Sequence, residues 1–205
     1  MSYRNEFLEA FLARKRYIPD TAPEKYFSYK DLLSFNAKKD FSEAYKCYET
    51  MECFFLDHYM PYRVKHDWPI AHACHVVVHD LLRCMIRNKW CDPKDLAYTI
   101  GNVSIGGKWV YDITEESLKE TIRKGHDLDN DVNVHAWLTF RTNYVLDPTI
   151  LFTLTDWNFP GDLDIESHPI HFWNENDEKM RWELDYKPML VDSDFFSRVD
   201  DVKEY

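Results

Sequence analysis

The sequence predicts an α+β fold in a single domain of 205 residues. Through the first 90 residues, apolar side chains recur every three or four positions, which is typical of amphipathic helices. From about residue 96 the pattern changes to short apolar runs broken by turn residues, which favours strands. With 45% hydrophobic and 16% aromatic residues, the chain can bury a substantial core. We divide the domain into a helical part (1–69), a core of helix and antiparallel sheet (70–155) and an acidic extension (156–205).

Two helices have the strongest periodicity. The stretch "DFSEAYKCYETMECFFLDHY" places six side chains at helical intervals, namely Phe41, Tyr45, Tyr48, Met51, Phe55 and His58. After two prolines, "IAHACHVVVHDLLRCMIRNKW" carries one apolar stripe, formed by Ala71, Cys74, Val77, Val78, Leu81, Leu82 and Met85. A shorter helix is predicted in "TEESLKETIRKG", with Gly125 as its C-cap.

The predicted strands follow these helices. "DPKDLAYTIGNVSIGGKWVYDIT" indicates two strands joined at a Gly-Gly turn. "NVHAWLTFRTNYVLDPT", residues 133–149, indicates a hairpin that turns at Thr142-Asn143. Beyond residue 155 the periodicity is weak, and we expect only a helix near Asn174–Trp182 and a strand near Pro188–Val191.

The net charge of −11 is concentrated at the C-terminal end. Residues 156–205 hold 14 acidic and 5 basic residues, a balance of −9, so the first 155 residues carry only −2. This acidic end would repel a phosphate backbone, which argues against nucleic acid as a partner. We interpret it as a solvated acidic surface.

Neither a targeting segment nor an apolar run long enough for a membrane span is visible. The five cysteines lack the spacing of a disulfide framework, and no CxxC pair is present. We therefore expect a cytoplasmic protein with reduced thiols and no membrane association.

Three residues form a candidate catalytic triad. Cys74 lies near the start of a predicted helix, where the unpaired amide groups favour a thiolate. His135 and Asp147 lie on the two strands of the hairpin, where cross-strand neighbours can hydrogen-bond. A nucleophile, a base and a carboxylate that orients the base are the components of thiol-dependent acyl transfer.

These residues also resemble a known family. A cysteine at a helix start, "HAW" on one strand (His135 to Trp137) and "DPT" at the end of the next (Asp147 to Thr149) are similar to the papain-like superfamily, and in particular to its transglutaminase-like branch. The resemblance covers roughly residues 70–150. It implies a Cys-bearing helix packed on an antiparallel sheet, with Cys74 as nucleophile, His135 as general base and acid, and Asp147 as the orienting carboxylate.

The residues that would line the groove or stabilise an oxyanion are less defined. No Gln upstream of Cys74 supplies the side-chain donor of papain-type enzymes. The nearest substitutes are the backbone N–H of Cys74 and the side chains of Trp68 or His72. His75 and Trp137, next to the proposed triad, are further groove candidates.

A metal site is an alternative on the same helix. His75 and His79 are four residues apart and so share one helix face, as two ligands of one metal would. The Glu of an HExxH motif is absent, because Val76 stands in its place. A third ligand would have to come from His72, His126, His168 or His171.

The sequence therefore predicts thiol-dependent acyl chemistry on an amide or ester bond of a protein, peptide or small molecule, with no cofactor. Hydrolysis, deamidation and transfer use the same machinery, so the pattern does not choose among them. Two alternatives remain: a metal-dependent enzyme built on His75 and His79, and a catalytically silent fold that binds a protein partner.

Overall fold

A computed structural model of the chain describes residues 1–18, 24–125, 134–159, 165–175 and 184–199. Over these residues the predicted α+β fold is confirmed: helices dominate the first 90 residues and an antiparallel sheet follows. None of the helices in the described ranges has the length and apolar character needed to cross a membrane.

Within the described ranges, the helical part contains four α-helices, and four more follow. In chain order they are α1 (Tyr3–Tyr17), α2 (Tyr29–Ser34), α3 (Ala37–Phe54), α4 (Met60–Lys65), α5 (Cys74–Arg87), α6 (Glu115–Lys124), α7 (Ile150–Asp156) and α8 (Phe195–Val199). A π-helical turn, Phe55–Tyr59, joins α3 to α4. Helix α6 begins at a capping box between Thr114 and Ser117 and ends at its predicted C-cap, Gly125, whose positive φ of 68° is readily adopted by glycine.

The described strands form one antiparallel sheet. They are β1 (Leu96–Ile105), β2 (Lys108–Trp109), β3 (His135–Phe140), β4 (Tyr144–Asp147), β5 (His171–Trp173) and β6 (Leu184–Val191). Strand β1 pairs with β2, β3 and β6; β3 pairs with β4, and β4 with β5. The hairpin of β3 and β4 turns through Arg141, Thr142 and Asn143, which includes the predicted Thr142-Asn143 turn, and Arg141 and Thr142 both have positive φ.

The two faces of the sheet are covered by different helices. Alternation along β3 places His135, Trp137 and Thr139 on one face, which we call the α1 face because Tyr3 and Phe7 of α1 pack there. The opposite face, here the α5 face, packs against the apolar stripe of α5, with contributions from Val77, Val78, Leu81, Leu82, Tyr98, Ile100, Ala136, Leu138 and Leu146. Both faces are buried, which explains why β3 has no exposed side chain.

The sheet curls around its α1 face. Strands β6 and β5 lie at opposite ends of the strand order, yet the hydroxyl of Tyr186 on β6 is 2.9 Å from Nδ1 of His171 on β5.

A buried ion network joins the first and last described helices, because Asp192 is fully buried and binds both Arg14 of α1 and Arg198 of α8. A long-range buried ion network of this kind ties the acidic C-terminal part to the first helix.

The predicted strand near Pro188–Val191 is confirmed and begins earlier, at Leu184. The predicted helix near Asn174–Trp182 lies almost wholly outside the described residues, because the structure describes none of residues 176–183. Strand β5 and helix α8 were not predicted; they have three and five residues, which is too short for a periodic pattern.

Candidate active site

Cys74 is the first residue of α5. Pro69 and the turn that follows it delay the start of the helix, and Ala73 caps the helix with no side-chain hydrogen bond. The first amide groups of an uncapped helix favour negative charge close by. Cys74 is 3% exposed, and its Sγ lies 3.2 Å from the carbonyl oxygen of Val134, to which the side chain donates only while it is a neutral thiol.

His135 and Asp147 form a buried pair. Nε2 of His135 lies 2.6 Å from Oδ2 of Asp147, and both side chains have no exposed surface. They are not directly opposite: the β3–β4 register pairs Leu138 with Leu146, which places Asp147 across from Trp137. His135 is therefore the diagonal neighbour of Asp147 on the same face, a separation that two longer polar side chains can span.

The Asp147 carboxylate is held by both oxygens. Oδ1 accepts from the backbone N–H and hydroxyl of Thr149 and from the N–H of Ile150, at 3.0 to 3.1 Å. Oδ2 accepts from His135 and from the hydroxyl of Tyr186, the latter at 3.1 Å. A buried carboxylate needs such donors to stay ionised. Three of these five hydrogen-bond donors come from Thr149 and Ile150, which follow Asp147 closely in the chain.

The triad residues shift one another's ionisation. Burial disfavours the thiolate, but interactions with His135 and then His75 outweigh it and lower the pKa of Cys74 to about 6. Burial also disfavours the imidazolium, yet the charge and hydrogen bond of Asp147 raise the pKa of His135 to about 10. Despite burial, His135 holds the pKa of Asp147 below its usual range. These shifts run in opposite directions, so they favour a thiolate–imidazolium pair over the neutral thiol and imidazole.

His135 presents one nitrogen to Cys74. Because Nε2 is bonded to Asp147, Nδ1 is the nitrogen left for the thiol, and it is buried with no hydrogen-bond partner among the described residues. A buried ring nitrogen without a hydrogen-bond partner destabilises the fold, and a catalytic role is one reason for such an atom to be present. Here it is the atom that can accept and return the proton of Cys74.

Three further rings pack next to the triad. Tyr111 stacks on His135, with ring centroids 4.7 Å apart and an interplanar angle of 17°. Trp157 contacts Tyr111 and also His72, whose Nε2 lies within hydrogen-bond distance, 2.9 Å, of a carboxylate oxygen of Asp156. Trp157 and His72 are the exposed members of this set, Tyr111, Trp157 and His72, which we call the cover.

We expect Trp157→Ala to increase the alkylation rate of Cys74 by iodoacetamide at fixed pH at least about threefold, because local opening of the cover limits access. The matched control is Trp90→Ala, since Trp90 has similar exposure (42% against 47%) and contacts Phe54. Mass spectrometry of the Cys74 peptide gives both rates. Equal rates in the two variants would show that the reagent reaches Cys74 by another path.

The other groove candidates are dispersed. His75 lies against Cys74 and stacks on Phe196. The indole N–H of Trp137 donates to the hydroxyl of Tyr3 at 2.9 Å, so it does not face Cys74. Trp68 is 48% exposed and packs on His66 and Arg63. It lines a separate groove of about 500 Å³ with Ile70 and Ala71, and the structure brings neither it nor Trp137 to the thiol.

The metal alternative gains no third ligand. His75 and His79 share a helix face, but both rings pack on Phe196, with centroids 6.0 and 4.2 Å away. Among the described residues, no three His, Cys, Asp or Glu side chains are arranged to hold a metal ion. His168 pairs with Glu52 and His171 with Tyr186, while His126 lies outside the described residues.

Three residues of the site were not assigned to it from the sequence: Tyr111, Tyr186 and, except as a possible metal ligand, His171. In "LDYKPMLV" the alternating pattern places Tyr186 on the inner side of its strand, which was the available signal. Tyr111 lies in the second strand predicted after the Gly-Gly turn, but β2 ends at Trp109, and the strand pattern did not indicate a role for Tyr111 in the site.

Comparison of the chain with protein-family models, with curated proteins and with solved structures found no match in any of the three.

Proposed function

We propose that this protein is a cysteine-nucleophile enzyme that acts on an amide or ester bond through Cys74, His135 and Asp147. The observation that carries the proposal is the buried 2.6 Å hydrogen bond from His135 to Asp147, which leaves the other ring nitrogen unpaired and available to Cys74. A carboxylate fixes the tautomer and orientation of an imidazole in this way in nucleophilic catalysis.

The chemistry follows from the ionisation of the pair. The thiolate of Cys74 attacks the carbonyl carbon of the substrate, forming a C–S bond and moving an electron pair to the carbonyl oxygen. When the tetrahedral adduct collapses, the C–N or C–O bond breaks and His135 gives its proton to the leaving group. Water or an amine, deprotonated by His135, then attacks the thioester and releases Cys74.

The start of α5 provides the group that can stabilise the oxyanion. Its N-cap makes no side-chain hydrogen bond, so the backbone N–H of Cys74 and the positive end of a 14-residue helix lie at the nucleophile. The neighbouring imidazole of His75 is a second candidate donor.

The arrangement of elements supports a papain-like relationship as part of the proposal. A helix that begins at the cysteine packs on an antiparallel sheet, and the His and Asp lie on adjacent strands of it. The resemblance of "HAW" and "DPT" predicts this order of elements.

The test is the pH dependence of Cys74 alkylation by iodoacetamide, followed by mass spectrometry. In the wild type we expect the rate to rise with a midpoint near pH 6, because the thiolate is the reactive species. A free cysteine titrates near a pH of about 8.5. In His135→Ala the midpoint should move toward that value, because the imidazolium that stabilises the thiolate is removed. Since Cys74 is buried, its alkylation rate also depends on access, so the midpoint is the primary readout here and a rate is interpreted only against a matched control variant.

His79→Ala is the matched control, because it removes a histidine from the same helix that stacks on Phe196. Its midpoint should stay near pH 6. A wild-type midpoint of about 8.5 would contradict the proposal. Acyl chemistry is tested separately with p-nitrophenyl acetate: an acetyl group should accumulate on Cys74 and be absent from the same peptide of Cys74→Ala.

The silent-fold alternative makes the opposite prediction. If the protein acts only by binding a partner, Cys74 carries no acetyl group, and Cys74→Ala retains the biological effect. The metal-dependent alternative requires bound zinc or iron in the purified protein and loss of activity in His79→Ala.

A further inference from the structure

Two further polar residues, Tyr186 and His171, form hydrogen bonds that lead away from Asp147. Tyr186 on β6 is 1% exposed, and its hydroxyl is 3.1 Å from Oδ2 of Asp147, the same oxygen that binds His135. His171 on β5 is directly opposite Asp147 in the β4–β5 register, and its Nδ1 is 2.9 Å from the Tyr186 hydroxyl. Curling of the sheet brings these three strands together on the α1 face.

The donor and acceptor in each hydrogen bond of the series His171–Tyr186–Asp147 follow from the chemistry of the groups. An ionised carboxylate only accepts hydrogen bonds, so the single proton of the Tyr186 hydroxyl is donated to Asp147. His171 must then donate its Nδ1 proton to the Tyr186 oxygen. Burial disfavours the imidazolium and lowers the pKa of His171 to about 4, so the ring is neutral at pH 7 and its buried Nε2 carries no proton.

We propose that Tyr186 is a positioning residue that sets how strongly Asp147 holds the His135 imidazolium, and that His171 aims the Tyr186 proton at the carboxylate. The inference rests on the proposed function. By donating to Oδ2, Tyr186 withdraws part of the negative charge that faces His135. The imidazolium is then stable enough to keep Cys74 ionised and still able to release its proton to a leaving group.

The effect of Tyr186 is separable from the position of the carboxylate. Thr149 and Ile150 hold Oδ1 through three hydrogen bonds that do not involve Tyr186. Loss of the Tyr186 hydroxyl therefore changes the charge at Oδ2 more than it moves the side chain.

Other ionisable groups surround Cys74, His135 and Asp147, and a change in their charge would alter the alkylation midpoint. The groups that face Cys74, His135 or Asp147 are His75 from α5, Tyr111 from the segment between β2 and α6, His171 from β5 and Tyr186 from β6. Burial raises the pKa of both tyrosines well above neutrality, and His171 is neutral, so none of these three changes charge between pH 5 and 8.

Tyr186→Phe tests the proposal, because it keeps the ring and removes the hydroxyl. With one donor fewer, Oδ2 holds the imidazolium more strongly and the thiolate is favoured. The alkylation midpoint of Cys74 should therefore shift to lower pH by about half a unit, which is the pKa change expected from the loss of one hydrogen bond. At a pH of about 5 this corresponds to a rate about three times that of the wild type.

Tyr3→Phe is the matched control. Its hydroxyl is similarly buried on the same face of the sheet, and it bonds Thr139 and Trp137 rather than Asp147. It should lower stability comparably and leave the midpoint at the wild-type value. A Tyr186→Phe midpoint that equals that of Tyr3→Phe, or that moves to higher pH, would overturn the proposal. A wild-type midpoint of about 8.5 would instead overturn the proposed function.

Nitrogen-15 NMR of the histidines gives a second measurement that needs no variant. In the wild type at neutral pH, His171 should be neutral with its proton on Nδ1, and His135 should be doubly protonated. A proton on Nε2 of His171 would mean that Tyr186 donates to His171 instead of Asp147, and the inference would fail even if Cys74 is reactive.

Discussion

Replacing Asp147 by Asn is expected to slow the alkylation of Cys74 at a pH of about 6 by about a hundredfold. The carboxylate charge raises the pKa of His135 to about 10, and His135 in turn helps lower the pKa of Cys74 to about 6. The amide in the Asp147→Asn variant carries no charge, so the imidazolium loses its main stabilisation. If the pKa of the Cys74 thiol returns to about 8.5, its thiolate fraction at a pH of about 6 falls from about one half to less than about one percent.

The same substitution also tests orientation. An amide at this position can present its oxygen to His135 only by turning its NH₂ group toward Thr149 and Ile150, whose N–H groups donate to Oδ1 of Asp147 in the wild type. We therefore expect a loss of about 3 kcal/mol in the free energy of unfolding, the lower end of the cost of breaking a buried ion pair. Urea denaturation measures this loss, and mass spectrometry measures the alkylation rate.

Asp192→Asn is the control for that loss of stability. Asp192 is also fully buried, and it pairs with Arg14 and Arg198 rather than with the triad. Its replacement should destabilise the fold by a similar amount and leave the alkylation midpoint near pH 6. If both variants slow alkylation equally, the reactivity of Cys74 reflects general stability and not the His135–Asp147 pair.

The parts of the site that the sequence predicted are local. "HAW" and "DPT" lie on two strands joined by a short turn, so a single hairpin register brings His135 near Asp147. The start of a helix at Cys74 also follows from nearby residues, since Pro69 and the turn after it precede the first helical residue. Short sequence separation makes such contacts predictable from pattern alone.

The residues that the sequence did not assign depend on the curl of the whole sheet. Tyr186 reaches Asp147 from 39 positions away, across strands that are not adjacent in the sheet order. Tyr111 stacks on His135 from the segment between β2 and α6, where the predicted strand does not continue. No local pattern encodes sheet curvature, because it results from the packing of both faces together. Trp137 donates to Tyr3 because alternation along β3 places its side chain on the α1 face.

Gly101→Ala is expected to have the largest effect on stability, at least about 3 kcal/mol, through overpacking of a filled interior. Gly101 lies opposite His135 on β1, at the irregularity in the pairing of β1 with β6. A Cβ there would collide with the carbonyl of Lys187 and lie 2.9 Å from the Trp137 ring. A backbone carbonyl in a strand cannot move without displacing β6, and Tyr186 is the residue next to Lys187.

Gly107→Ala separates crowding from the general cost of replacing glycine. Gly107 has a φ of 76° in the β1–β2 turn, and a Cβ there meets nothing within 4 Å. Its cost is therefore limited to backbone strain of about 1 to 2 kcal/mol. Urea denaturation followed by tryptophan fluorescence compares the two variants, and equal losses would contradict the crowding argument. Because displacement of β6 also moves Tyr186, Gly101→Ala alone should change the alkylation midpoint of Cys74, which links the packing of the sheet to the ionisation of the site.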